Sequence, residues 1–194
     1  MMKFSIKALV LATAAIGVVP AAFADDVTSS GTVKILGEVK QNACVVDDES
    51  KNLTVTLEDV FANIFTAAGD TAAEKGFTIG LKDCTNVQFQ NAQLRFEGPV
   101  DSRVSNNTVL ENTDGDSMDI GVQILDASAT GGNSPMVFTH TDNAWSGVTK
   151  LPDDGTTTVK LPFKARYYAI APDDGNGNLV GTVGATATFY LRYN

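Results

Sequence analysis

Apolar and polar residues alternate along most of the chain, and the alternation is sharpest at its end. From Gly181 the odd positions Val183, Ala185, Ala187, Phe189, Leu191 and Tyr193 are apolar, while Thr182, Thr186, Thr188 and Arg192 between them are polar. A period of two marks a strand with one buried face. The same period recurs at Leu53, Val55 and Leu57, at Phe77, Ile79 and Leu81, at Leu94 and Phe96, at Ile120, Val122 and Ile124, and through "TTVKLPFKARYYAI". These read as strands, most with one face in water. The clusters "ENTDGDS", "SATGGNSP", "LPDDG" and "APDDGNGN" between them mark turns. Only "VFANIFTAAGDTAAEKG" has helical character, and it is short and interrupted. The pattern predicts an all-β sandwich of short antiparallel strands.

The first residues follow a different rule. Lys3 and Lys7 precede an apolar run from Ala8 to Val19, followed by Pro20 and the small-residue site Ala22-Phe23-Ala24. This is the layout of a secretory signal peptide over residues 1–24. Its apolar core is shorter than the roughly 20 residues that a spanning helix needs. Cleavage after Ala24 leaves a mature chain of 170 residues, enough for one domain with its own core. It also removes two of 14 basic residues and none of the 23 acidic ones, so the mature formal charge is −11. Such a surface repels nucleic acid and anionic lipid. Cys44 and Cys84 both lie in the exported part, where a disulfide is the default.

Catalytic chemistry finds little to work with. His140 in "VFTHTDN" is the only histidine, with no GxSxG elbow and no free thiol nearby, so a solvated loop histidine is expected. The acidic loops beginning at Asp114 and Asp174 depart from the calcium-hand pattern; the second has Leu179 and Ala185 where glycine and glutamate belong. Trp145 could offer a sugar platform, but a single tryptophan more often caps a core or loop. The expectation is a protein that is not an enzyme, with no cofactor and no metal.

A sandwich that ends on a strand built for burial leaves an unpaired edge beside a hydrophobic groove, and in water such an edge aggregates. The other end of the mature chain offers a cover. In "DDVTSSGTVKILGEV" the odd positions Val27, Ser29, Gly31, Val33 and Ile35 alternate with Asp26, Thr28, Ser30, Thr32 and Lys34. This is an extended arm with modest side chains on one face and a glycine in the middle, suited to adding a strand to a sheet edge of a neighbouring copy.

Those features together resemble the pilins of the chaperone-usher pathway, and above all the major rod subunit of type 1 fimbriae. The likeness is carried by "GTVKILGEVKQNACVVD", by Cys84 in "LKDC", by "GVQILD" and "LPFKARYYA", and by a terminal strand with Gly181 fourteenth from the end and penultimate Tyr193. The resemblance implies an incomplete immunoglobulin-like β-sandwich over residues 37–194, its seventh strand missing and supplied in trans, with a donor-strand extension at 25–36. It implies that Val27, Ser29, Gly31, Val33 and Ile35 form the donor strand. Gly181, Val183, Ala185, Ala187, Phe189, Leu191 and Tyr193 belong to the terminal strand bordering the acceptor groove, and Cys44 and Cys84 match the family's bridge. A periodic hand-over is also implied: a periplasmic chaperone first lends a strand and anchors the carboxylate of Asn194, then at the outer-membrane usher the next subunit's arm replaces it.

Two positions depart from the donor pattern. Ser29 is polar where a larger apolar residue is expected, and Leu36 interrupts the alternation. A slip of one residue would turn the arm's apolar set outward. The function implied is a structural subunit of an extracellular adhesive fibre on the bacterial surface, exported through the periplasm and joined head to tail to identical or homologous subunits. The alternatives are a minor adaptor pilin, a tip adhesin binding host glycans, and a monomer whose arm folds back into its own groove.

Overall fold

The computed structural model describes residues 31–37, 44–84, 89–153 and 156–194. The expected signal peptide, and Val27 and Ser29 of the expected arm, lie outside the described residues. The chain divides into two units, Met1–Val39 and Lys40–Asn194. In the first, residues 31–37 carry no regular secondary structure, and Val33, Ile35 and Leu36 are 84%, 88% and 79% exposed.

The second unit is nearly all β. Its elements are β1 (Val45–Val46), a single helical turn α1 (Asp48–Lys51), a 3-10 turn (Ala62–Ile64), β2 (Thr71–Lys82), β3 (Asn91–Glu97), β4 (Ile120–Asp126), β5 (Ser134–Pro135), a second 3-10 turn (Asp142–Ala144), β6 (Thr149–Lys150), β7 (Val159–Ala169) and β8 (Thr188–Tyr193). They form two antiparallel sheets, one in the order β1-β2-β7-β4-β5 and one in the order β6-β3-β8. Inward side chains from both sheets make the main core, with Ile79 and Leu81 of β2, Leu94 and Phe96 of β3, Ile124 of β4, and Leu161 and Phe163 of β7. Phe96 meets Phe163 edge to face across the sheets, ring centres 5.0 Å apart. A smaller cluster of Phe65, Ile120, Ala169 and Leu179 closes one end of the sandwich.

Three expectations change. The stretch with helical character supplies only the turn at Ala62–Ile64, and Thr71–Gly76 opens the longest strand, β2. Ala73 takes a φ of 53° there, and the β2–β7 register shifts between Ala72 and Lys75. This is a bulge, which lets a run of poor strand formers stay in the sheet with its extra residues unpaired. Leu53, Val55 and Leu57 do not form a ladder strand, because residues 53–60 have no backbone partner among the described residues. Finally, β3 and β4 are buried on both faces, Gln93, Arg95, Gln123 and Asp126 included. Loops cover their outer faces and answer most of their polar groups, Arg95 Nε excepted: Gln93 donates to the carbonyl of Ser146 at 2.6 Å, and Asp126 accepts the N–H of Ser128 at 2.9 Å.

Candidate functional site

The four sheet edges are not alike. β1, β5 and β6 are two residues long, β5 contains Pro135 and β6 ends on Lys150. Short strands, proline and lysine are the usual means of keeping an edge from recruiting another strand. β8 has none of these guards on its free side. All six of its residues pair with β3, from Thr188 opposite Glu97 to Arg192 opposite Gln93 and Tyr193 opposite Ala92. No strand lies on its other side among the described residues.

The inward face of this strand matches the alternation of the sequence. Ala185, Ala187, Phe189, Leu191 and Tyr193 pack against the main core yet stay only partly buried, and Val183 packs against the smaller cluster. Phe189 stands 6.4 Å from Phe96 and Tyr193 5.8 Å from Phe89 between ring centres. Ahead of β8 the backbone is anchored to the loop at 113–117: Thr113 and Asp114 donate to the carbonyl of Gly184, and Asp116 and Ser117 to that of Thr182. Gly181 is required by this approach. Its φ is +140°, and a Cβ placed there would lie 2.5 Å from Asp116 Oδ1 and 2.9 Å from the Ser117 nitrogen. Asp116 in turn accepts from the Thr182 N–H and, at 2.7 Å, from its hydroxyl, which together hold its carboxyl below the usual carboxylate range.

The open edge is bounded at both ends. At one end the Tyr193 hydroxyl donates to the Cys44 carbonyl at 2.8 Å, and Cys44 is bridged to Cys84. Burial raises the Tyr193 pKa, with the bond to Cys44 acting in the opposite sense. At the other end Val183 joins Ala62 and Phe65 in the smaller cluster. Between Cys44 and Ala62 runs the unladdered stretch 53–60, whose Glu58 meets Lys75 of β2 at 3.8 Å. Thus β8 has no strand on its free side and residues 53–60 have no backbone partner among the described residues, while Cys44 and Ala62, which bracket that stretch, lie by the two ends of the terminal segment.

Polar side chains fasten the outer face of β8. Arg192 donates from Nε and Nη2 to Gln93 Oε1 at 3.1 and 2.9 Å, and its guanidinium lies 4.4 Å from the Trp145 ring centre. Arg95 stacks on Trp145 and on Tyr190 at 4.8 and 5.0 Å. Trp145 therefore caps a loop with its ring engaged by two arginines, as opposed to serving as a sugar platform. His140 is exposed and places Nδ1 2.7 Å from Glu97 Oε1, which also pairs with Arg95 at 2.8 Å. The chain end is engaged as well, because the N–H groups of Gln90 and Asn91 both donate to the terminal oxygen of Asn194 at 3.0 Å. Among the described residues no group of three or more His, Cys, Asp or Glu is placed to hold a metal ion.

Alternation in the sequence located the inward face of β8 but not its supports. Gln93, Ser146 and the Cys44 carbonyl carry no signature, since their roles arise from partners 99, 52 and 149 residues away.

Comparison with known proteins assigns this architecture. The family model "Fimbrial protein" matches residues 30–194. The chain is 34% identical to a type-1 fimbrial protein A chain of Escherichia coli, over 99% of this chain and 100% of that one. It is 35% identical to the minor fimbrial subunit HifD of Haemophilus influenzae, over 84% and 74%. In fold it is similar to the P pilus rod subunit PapA, with a TM-score of 0.59, 17% identity, and 79% of this chain and all of that one covered. A chaperone-usher pilus structure matches with a TM-score of 0.58 and 18% identity, over 86% and 96%. An immunoglobulin-like sandwich left open along its last strand, and this breadth of likeness, place the chain in the fimbrial protein family, as a pilin of the chaperone-usher type.

Proposed function

We propose that this structural pilin polymerises by donor-strand exchange, with residues 25–36 of one copy completing the sandwich of the next. The observation that supports the reading is β8, the one unguarded edge among the described residues, which is backed by a half-covered apolar face. The family's proteins are structural subunits of extracellular pili and not known enzymes. Val27, Gly31, Val33 and Ile35 enter the groove and Ser29 lies along the same face. Val183, Ala185, Ala187, Phe189, Leu191 and Tyr193 line it from Gly181 onward. Each well-buried aliphatic side chain adds roughly 1.5 to 3 kcal/mol, and the ladder satisfies backbone groups on both flanks. A head-to-tail interface of this kind does not close, so it yields a fibre.

Upstream of assembly, signal cleavage after Ala24 releases the mature chain into the periplasm. A pilus chaperone occupies the edge there and binds the carboxylate of Asn194, and the outer-membrane usher exchanges it for the next arm. The test is deletion of residues 25–36 in the cell that assembles the fibre. The expected product is a folded, chaperone-bound subunit absent from fibre interiors, and fibres of normal length would overturn the reading. Subunit counting in purified fibres separates a rod component from a minor one.

A further inference from the structure

The end of the sandwich beside Val183 carries an apolar patch that the fold leaves uncovered. Phe61 is 83%, Ile64 46%, Met118 64% and Val180 66% exposed. Each lies within two residues of a member of the small cluster of Phe65, Ile120 and Leu179 with Ala62 packed on it. Met118 and Val180 are drawn together by the bond from the Met118 N–H to the Asn178 carbonyl at 2.9 Å. Isolated exposed apolar residues are ordinary, whereas four large ones around one end of a core mark a contact surface.

The arm holds the matching anomaly. Leu36 is apolar and 79% exposed, but it is out of step with the odd positions that share one strand face. When Ile35 is turned into a groove, Leu36 points away from it.

The direction of insertion brings the two together. The described body begins at Cys44, whose carbonyl accepts from Tyr193, so its first residue lies at the Tyr193 end of β8. A fibre that propagates head to tail receives the incoming arm's body at the opposite end, beside Val183. The incoming arm then runs antiparallel to β8, with Ile35 near Val183 and Leu36 at the groove mouth. Eight residues lie between Ile35 and Cys44, a reach of at most about 30 Å, which keeps the donor's body close to that mouth.

We infer that Phe61, Ile64, Met118 and Val180 form a docking surface for the donor copy of this same chain, with Leu36 as its anchor. The inference rests on the donor-strand reading above. It adds a contact outside the groove that locks register, because a slip of one residue withdraws Leu36 from the patch while turning Ile35 out of the groove.

Fibres of the mature chain carrying Leu36→Ser, Phe61→Gln, Val180→Thr or Leu36→Ser with Phe61→Gln test it through their dissociation rate in denaturant. Phe61 and Val180 are exposed, so these substitutions leave the fold intact. Each single change is expected to speed dissociation by roughly tenfold, and the double change by no more than Leu36→Ser alone, since both remove one contact. Unchanged rates in Leu36→Ser, or a double variant showing the product of the single effects, would overturn the inference. Val33→Asp separates it from its premise. If Val33→Asp still assembles, donor-strand exchange itself fails and this contact with it; if Val33→Asp abolishes fibres while Leu36 and Phe61 act independently, only the patch is lost.

Discussion

The Tyr193 hydroxyl donates to the Cys44 carbonyl across 149 residues of sequence, at 2.8 Å. The last strand is thereby fixed to the start of the first, although the two belong to different sheets. Tyr193→Phe removes the donor and leaves a buried carbonyl unanswered. It is expected to lower the stability of the strand-complemented subunit by about 1–3 kcal/mol, read from its denaturation midpoint.

The same hydroxyl gives an alkaline signature. Its pKa is raised in the folded state by burial, so the stability it contributes is complete below the ordinary value of 10.0 and is lost as pH rises through the higher folded value. Tyr167, raised by burial and by Asp59, acts in the same direction. Unfolding midpoints should fall above pH 10, and the decline should be shallower in Tyr193→Phe than in the parent.

Gly181 admits no side chain. Gly181→Ala forces a Cβ against Asp116 and Ser117 at a positive φ, and a loss of about 2 kcal/mol or more in stability is expected from thermal melting. Asp116→Asn tests the partner by acid titration. The Asp116 pKa is depressed by its bonds to Thr182, so its contribution is complete above 3.8 and disappears as pH falls through the lower folded value. The Asn variant should lack that part of the acid transition.

Reduction of the Cys44–Cys84 bridge, which spans 40 residues, releases unfolded-chain entropy worth about 4 kcal/mol in the loop-closure account. Because Cys44 also presents the carbonyl that holds Tyr193, reduced subunits should bind a synthetic peptide of residues 25–36 more weakly than oxidised ones, as measured by fluorescence titration.

Gln93 offers a test of the outer face. It accepts twice from Arg192 and once from Asn194 at 3.3 Å, while donating to Ser146. Gln93→Leu leaves Arg192 and Asn194 without that acceptor and the Ser146 carbonyl without its donor; it is expected to cost about 2–3 kcal/mol, with faster amide exchange along β8 than along β4.

How much of this was legible in the sequence depended on range. The period of two at Val183–Tyr193 was enough to identify the inward face of β8, and export alone made the Cys44–Cys84 bridge the default. Leu53, Val55 and Leu57 show the same period without a ladder, because alternation reports which way side chains point and says nothing of whether a neighbouring strand is present. Thr71–Gly76 read as helical since Ala, Glu and Lys favour helices, and tertiary pairing with β7 overrides that preference. The polar residues buried on β3 and β4 could not be read at all, for the loops that cover them come from distant parts of the chain.

The brevity of β1, β5 and β6, with Pro135 and Lys150, has a consequence for morphology. On the donor-strand reading, β8 is the one seam among the described edges at which backbone joins backbone, so growth is linear: filaments neither fork nor zip side by side into sheets through their strands.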